Sequence, residues 1–353
     1  MMRRGKVPET LLEKRDMLVN IQKTIAEMYP DFAEVHFGMG ITLEEVQKIK
    51  AQILEYFIIK DVILTLFISG SDIECGVSVI PLVVRETLSL DLPVFLKFLR
   101  LRDVLYTICV QLFEKYLVNF PLCIIPHGFL HHFPFGALFD GEKYLIEKYK
   151  IVYAPSAAVL KFCLERDIHK SGESLAMGFF ENRRVEPEVV RVANVLGTVP
   201  AEPLREVFFR ECSHKDIIHV ACHGEFLQDD PLGSFVELQN GRLDAKSVFN
   251  MRLDADVVTL SACESGVSEV AGGDDLMGLE RAFLFAGAKS LVHSLWPVYG
   301  TSTTELMVTF YENLRNGQSK IDSLRNAQLD VLHSDRFSNP FYWAPFVLVG
   351  DWR

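Results

Sequence analysis

Apolar residues recur at helical spacing over residues 10–29, where Leu11, Leu18, Ile21, Ile25 and Met28 form one stripe and Pro30 follows. The stripe predicts an amphipathic helix, packed on its own domain or offered to a partner or a second copy. Thr42-x-x-Glu45 has the capping-box form and announces a second, short helix. From Ile53 the period shortens to that of strands. Ile53–Ile59, a Lys60-Asp61 turn and Val62–Ile68 read as a hairpin, and Ser69-Gly70-Ser71-Asp72 turns the chain into Ile73–Val79. Two helical stretches follow, at about 93–100 and 104–117. The first 120 residues therefore predict a helical arm (1–41) and a small α+β layer (42–120), with no motif that carries chemistry.

From residue 121 the rhythm becomes apolar run, loop, helix, apolar run. The runs are Leu122–Ile125, Ser174–Phe179, Ile217–Ala221, Val257–Ser261, Ser290–Leu295 and Phe346–Val349. Helices are predicted between them at Ser156–Glu165, Pro187–Leu196, Glu206–Cys212, Asp274–Ala286, Ser302–Asn316 and Lys320–Leu332. Ser302-x-x-Glu305 reads as another capping box, and Gly287 and Gly317 stand where helix C-terminal glycines belong. Short, nearly continuous apolar strands separated by helices predict an α/β core (121–353) with a mainly parallel sheet covered on both faces. There is no internal repeat and no low-complexity linker.

Composition narrows the function classes. Of 353 residues, 49% are hydrophobic and 24% charged, which excludes a mainly disordered or collagen-like chain. A net charge of −11 without a Lys/Arg block argues against phosphate-driven nucleic-acid binding. No stretch reaches the roughly 18–20 uninterrupted apolar residues of a membrane helix, since Lys60-Asp61 interrupts Tyr56–Ser69. The N-terminal MMRRGKVPETLLEKR lacks the apolar region of a secretory signal. Cys75, Cys109, Cys123, Cys163, Cys212, Cys222 and Cys263 form no CxxC pair and fit a reduced compartment. The cytoplasm is the expected location.

Two predicted strands end alike. Ile217–Ala221 runs into Cys222-His223-Gly224-Glu225, and Val257–Ser261 runs into Ala262-Cys263-Glu264-Ser265-Gly266. Sites in open α/β sheets form at the carboxyl ends of strands. Neighbouring strands lie about 4.8 Å apart, so a His and a Cys leaving the same edge would meet as imidazole base and thiol nucleophile. The N–H groups of Gly224 and Cys263 would then serve as a pair of oxyanion donors. Against this stands the ordinary fate of such residues, an inert buried Cys and a structural His. Cys222 adjoins His223 but alternation sends it to the opposite strand face. His127, His131 and His132 lie in PHGFLHHFPF without carboxylate or Cys partners at metal-ligand spacing. Asp274 and Asp275 after Gly272-Gly273 would repel phosphate and read as helix-capping acids.

The stretches IIHVACHGEF (residues 217–226), LSACESGVSEVAGGDDLMGLERAFLFAGAKSLVHSLWPV (260–297 and onward to Val298) and FYWAPFVLVGDWR (341–353) resemble the CHAT domain. So does CIIPHGFLHHFPFGALFDGEKYLIEKYKIVYAPSAAVL upstream (123–160), and the resemblance runs from about residue 42 to residue 353. CHAT domains are caspase-like cysteine peptidases, akin to separases, caspases and metacaspases. The resemblance implies a caspase-like, mainly parallel sheet flanked by helices. It matches His223 to the family's catalytic histidine and Cys263, forty residues on, to its nucleophile. It matches Gly224 and the Cys263 amide to the oxyanion donors, with Glu264 beside them at the substrate-binding edge. Tyr299-Gly300-Thr301 after SLWPV departs from the acidic residue common there, and Cys222 replaces a frequent Thr; neither change removes the dyad.

The expected activity is that of a cysteine endopeptidase acting on a specific protein partner, plausible for prokaryotic defence, with no metal or organic cofactor implied. Asp229, Asp230, Asp274 and Asp275 are candidate specificity-loop acids that would favour a basic side chain before the scissile bond. Their ordinary reading, solvated or capping acids, is preferred. CHAT domains commonly sit behind helical-repeat or sensing regions, and the roughly 40 residues before the resemblance hold no repeat array. Regulation is therefore expected in trans, by a partner or self-association through residues 10–29, with no nucleic acid and no membrane contacted. The rival reading is a non-proteolytic module that binds a partner segment on the same scaffold.

Overall fold

A computed structural model describes residues 41–179, 186–225, 227, 230–264, 277–297 and 300–353, with the backbone alone at 186, 262–264 and 277. The amphipathic segment 10–29 and Asp229, Asp274 and Asp275 lie outside the described residues. Twelve described strands join in one sheet: β1 Gln52–Ile59, β2 Val62–Ser69, β3 Asp72–Val79, β4 Leu122–Ile125, β5 Ile151–Tyr153, β6 Ser174–Phe179, β7 Ile217–Glu225, β8 Phe235–Leu238, β9 Gly241–Asp244, β10 Val257–Glu264, β11 Ser290–Ser294 and β12 Phe346–Gly350. Their order is β3-β2-β1-β4-β5-β12-β11-β10-β7-β8-β9, with β6 also pairing β7. The helices used below are α1 Leu43–Lys48, α2 Leu82–Leu88, α3 Val94–Cys109, α4 Ala157–Glu165, α5 Glu186–Leu196, α6 Arg205–Glu211, α7 Ala245–Phe249, α8 Met277–Ala286, α9 Thr301–Arg315 and α10 Lys320–Leu332.

The first strands form the expected antiparallel meander. Lys60 takes φ 56° in the two-residue turn between β1 and β2, the left-handed geometry that such hairpins require. Thr42 and Glu45 cap α1 reciprocally, as the capping box predicts. One face of the meander is closed by α3, whose Phe98, Leu101 and Leu105 are buried. Two separate helices were expected here. Arg100, Arg102 and Asp103 instead ride the exposed side of one continuous helix, so the polar cluster is a solvent face and no break. Lys97, almost fully buried, donates to the Leu88 carbonyl and satisfies the end of α2.

Beyond residue 121 most strand pairs are parallel, with antiparallel pairs at β11–β12, β7–β8 and β8–β9. β4 pairs in parallel with β1 and β5, while β6, β7, β10 and β11 run parallel to one another. β12 lies between β5 and β11 and is antiparallel to β11. The sheet is thus a large mixed α/β sheet flanked by helices, continuous across residues 120 and 121. Every residue of β11 and β12 is buried, the mark of strands covered on both faces. Small residues govern the closest helix approach. A Cβ on Gly178 would stand 2.6 Å from Val189 of α5 and from the Ala221 carbonyl, so only glycine lets α5 lie this near β6 and β7.

The expected cap at Ser302 is not formed. Gly300 occupies the N-cap at φ 99°, and Ser302 is buried in the first turn of α9. Gly287 and Gly317 do end α8 and α9 with positive φ, as their positions predict.

Candidate active site

Both expected chemistry-bearing strands extend farther than their apolar runs. β7 continues through Glu225 and β10 through Glu264, because the two strands go on pairing with each other past the point where hydrophobicity ends. Their register is parallel and unbroken. Thr259 stands opposite His219, Ser261 opposite Ala221, Cys263 opposite His223 and Glu264 opposite Gly224. The two residues that the resemblance matches to a dyad are therefore direct neighbours at the carboxyl edge of adjacent strands, a separation of about 5 Å along the sheet. His223 is half-buried, whereas Cys222 is fully buried on the other face, as alternation requires.

Gly224 does not sit on a free loop. It lies inside the sheet, with Glu264 of β10 on one side and Val236 of β8 on the other. The short hairpin β8–β9 thus walls the His223 end of the edge. Asp230 caps the turn Pro231–Gly233 by accepting from the Gly233 N–H, a structural employment for one of the four candidate specificity acids. That turn abuts α8: a Cβ on Gly278 would meet the Pro231 carbonyl at 2.0 Å.

Four of the other thiols are suppressed by burial. Burial raises Cys109 and Cys123 well above the ordinary range and pushes Cys163 and Cys212 up to about 12. Cys75 is exposed on β3, at the far margin of the sheet. No group of three or more His, Cys, Asp or Glu side chains able to hold a metal exists among the described residues.

Sequence reasoning missed two polar networks that adjoin this edge. Beneath the His223 level, fully buried His219 has its Nδ1 3.2 Å from the Tyr311 hydroxyl of α9, which donates to Thr259 Oγ1 at 2.7 Å. On its other side His219 Nε2 lies 3.3 Å from buried Glu188 of α5. Hydrogen bonds through Tyr311 therefore tie α9 to β7 and β10, with Glu188 of α5 close by, two pleat repeats below the candidate dyad. Its signal was a histidine inside the otherwise apolar run IIHVA. On the opposite face, His293 of β11 approaches Glu280 of α8 at 3.6 Å. The 127–133 loop reaches the same edge, since Phe98 meets both Phe133 and Trp296, which follows β11. Burial holds His131 down to about 4 despite the pull of Glu280, and His132 down to about 4 as well.

The opposite edge, at the amino ends of β6, β7 and β10, carries a cleft of about 820 Å³. Its charges are paired: Lys320 meets Asp256 at 2.7 Å, and Lys150 meets Asp322 at 2.7 Å.

Compared with known proteins, residues 100–351 match the CHAT domain family. The chain belongs to the CHAT family. The chain is similar to human tetratricopeptide repeat protein 28, at 35% identity over 131 residues, 37% of this chain and 5% of that protein. The mouse protein of the same name is 37% identical over 109 residues, 31% of this chain and 4% of its own. The chain thus spans about a twentieth of the curated relatives it matches. Among solved structures, the Saccharomyces cerevisiae separase–securin complex matches with a TM-score of 0.47 and 14% identity, over 65% of this CHAT chain and 15% of that chain. The Arg-specific cysteine proteinase gingipain R matches with a TM-score of 0.48 and 11% identity, over 72% and 67% of the two chains. No helix among the described residues is long and apolar enough to cross a membrane.

Proposed function

We propose that this CHAT protein is a cysteine endopeptidase, with Cys263 as nucleophile and His223 as general acid and base. The observation that carries the reading is the register of β7 and β10, in which residues 223 and 263 are opposite neighbours at the carboxyl edge of the sheet. The Cys263 sulfur attacks a peptide carbonyl, the oxyanion is held by the backbone N–H groups of Gly224 and Cys263, and His223 protonates the leaving amine. Water, activated by His223, then releases the acyl-enzyme. The polar chain below supports this arrangement by fixing the two strands, through Tyr311, two pleat repeats beneath the dyad.

The reading includes cleavage of a specific protein partner, regulation in trans through residues 10–29, and a role in prokaryotic defence. Glu264, beside Gly224 in the register, borders the substrate path in this scheme. A second reading, a non-proteolytic interaction module, is favoured by the curated relatives, which are named for a repeat and for no peptidase activity.

Limiting iodoacetamide applied to the native chain from about pH 5 to 9, with the label located by mass spectrometry, separates the two. A peptidase labels Cys263 ahead of every other thiol near neutral pH, and His223→Ala removes that lead. Cys263→Ala should lower cleavage of a genuine substrate by at least about 10³-fold. Cys263 no faster than Cys75 leaves a latent peptidase awaiting its activator or a binding module, and labelling repeated with candidate partners present separates those two. Deleting residues 1–41 should alter partner binding or basal cleavage; no change in either removes the trans-regulation element.

A further inference from the structure

Exposed apolar surface is concentrated in one part of the molecule. Of the large hydrophobic side chains exposed among the described residues, all but Val190, Val199 and Leu232 fall within residues 41–120. Their centre is β3, the last strand on its side of the sheet, whose outer backbone has no strand partner among the described residues. Ile73, Val77 and Val79 are 41%, 64% and 67% exposed. β3 is only lightly protected as an edge: its charges, Asp72 and Glu74, stand in its first half, it has no Lys, Arg or Pro, and it pairs with β2 along its whole length without a bulge.

One face of this edge is apolar, carrying Ile73, Cys75, Val77 and Val79, and the other carries Asp72, Glu74, Gly76 and Ser78. Register places Val77 beside Leu64 and Phe57, and Val79 beside Val62 and Ile59, on one face of the meander. α1 packs near β2, and the Ile53–Ile68 end of that face is buried, while Phe57 and Ile59 remain exposed. On the other face Leu112 lies over Gly76, and Leu82 and Val83 flank the end of β3.

We infer that β3 is the seam of a homodimer, in which a second copy of this chain pairs β3 with β3 antiparallel about a twofold axis at Gly76. The strand is self-complementary in that direction. Ile73 faces Val79 of the second copy, and Cys75 faces its Val77, so every pair on the apolar face joins two hydrophobic or thiol side chains. Glu74 faces Ser78, and glycine meets glycine at the axis. Asp72 comes to the end of the other copy that carries Lys60, since the Ile80 N–H is bonded to the Asp61 carbonyl. A parallel seam would set Asp72 and Glu74 against their own copies, which like charge opposes. The dimer extends one sheet through both chains and leaves the two His223–Cys263 edges far from the seam.

Sedimentation velocity on the full chain tests the seam without reference to activity. The expected mass at micromolar concentration is twice the 40.1 kDa of the chain. Val77→Lys, at an exposed edge position, should raise the dissociation constant at least tenfold, whereas Val190→Lys on the other layer leaves it unchanged. Amide hydrogen exchange should slow over residues 73–79 as concentration rises. A monomer at every concentration, a dimer indifferent to Val77→Lys, or a dimer that leaves 73–79 unprotected overturns the inference.

Discussion

Residues 41–120 and residues 121–353 share one sheet and use it in opposite ways. In the first region the strands are antiparallel and joined by tight turns, so nothing in the chain has to cross both faces. One face is closed by α3, and the other keeps exposed apolar side chains such as Phe57, Ile59, Val77 and Val79 among the described residues. In the second region parallel strands require crossovers, and the crossover helices cover both faces. That coverage leaves the carboxyl edge as the place where polar side chains can be presented on rigid supports.

The contrast predicts that the covered layer tolerates change poorly. The largest effect is expected at Gly287, where φ is +132° and a Cβ would stand 1.8 Å from the Leu253 carbonyl. Gly287→Ala should cost at least about 3 kcal/mol of stability by urea denaturation. A loss below about 1 kcal/mol would show that the covered layer yields as readily as the open one.

A pH experiment sharpens the comparison next. Burial keeps His132 neutral and lowers its pKa from the ordinary 6.5 to about 4. The unfolded chain therefore binds the proton first as pH falls. Stability from the neutral ring is full above about pH 6.5 and drains away toward pH 4. Between pH 7 and pH 5 this group alone should remove about 2 kcal/mol. His132→Phe should lose less over the same interval; an identical decline would assign acid sensitivity elsewhere.

A smaller effect is expected from Tyr311→Phe, which deletes the hydroxyl between His219 and Thr259. The cost should be about 1–2 kcal/mol. Thr259→Val in the same background should add less than it does alone, because both changes break one network. Additive losses would mean that the polar chain does not couple α9 to the sheet.

Legibility in the sequence followed the strength of each local signal. β4, β6 and α10 have the bounds that their apolar runs predict, and Thr42 caps α1 as its spacing requires. β5, β8 and β9 span only three or four residues, too short for periodicity to separate from loop. β7 and β10 outran their hydrophobic stretches because backbone pairing, which is blind to side-chain type, continued through His223 and Cys263. At α9 a capping motif yielded to Gly300, whose positive φ sets the helix entry.

What the sequence determined by itself is the alternation of strand and helix, the identity of His223 and Cys263 as the residues worth joining, and the CHAT motifs that join them by resemblance. These are local properties, written in period, cap and motif. Only the tertiary structure decided that residues 223 and 263 share one register level, that His219, Glu188, Tyr311 and Thr259 cluster under them, and that β3 is the last strand on its side of the sheet among the described residues. Each of those depends on which strands become neighbours, and neighbourhood is set by burial summed over the whole chain, which no local window contains.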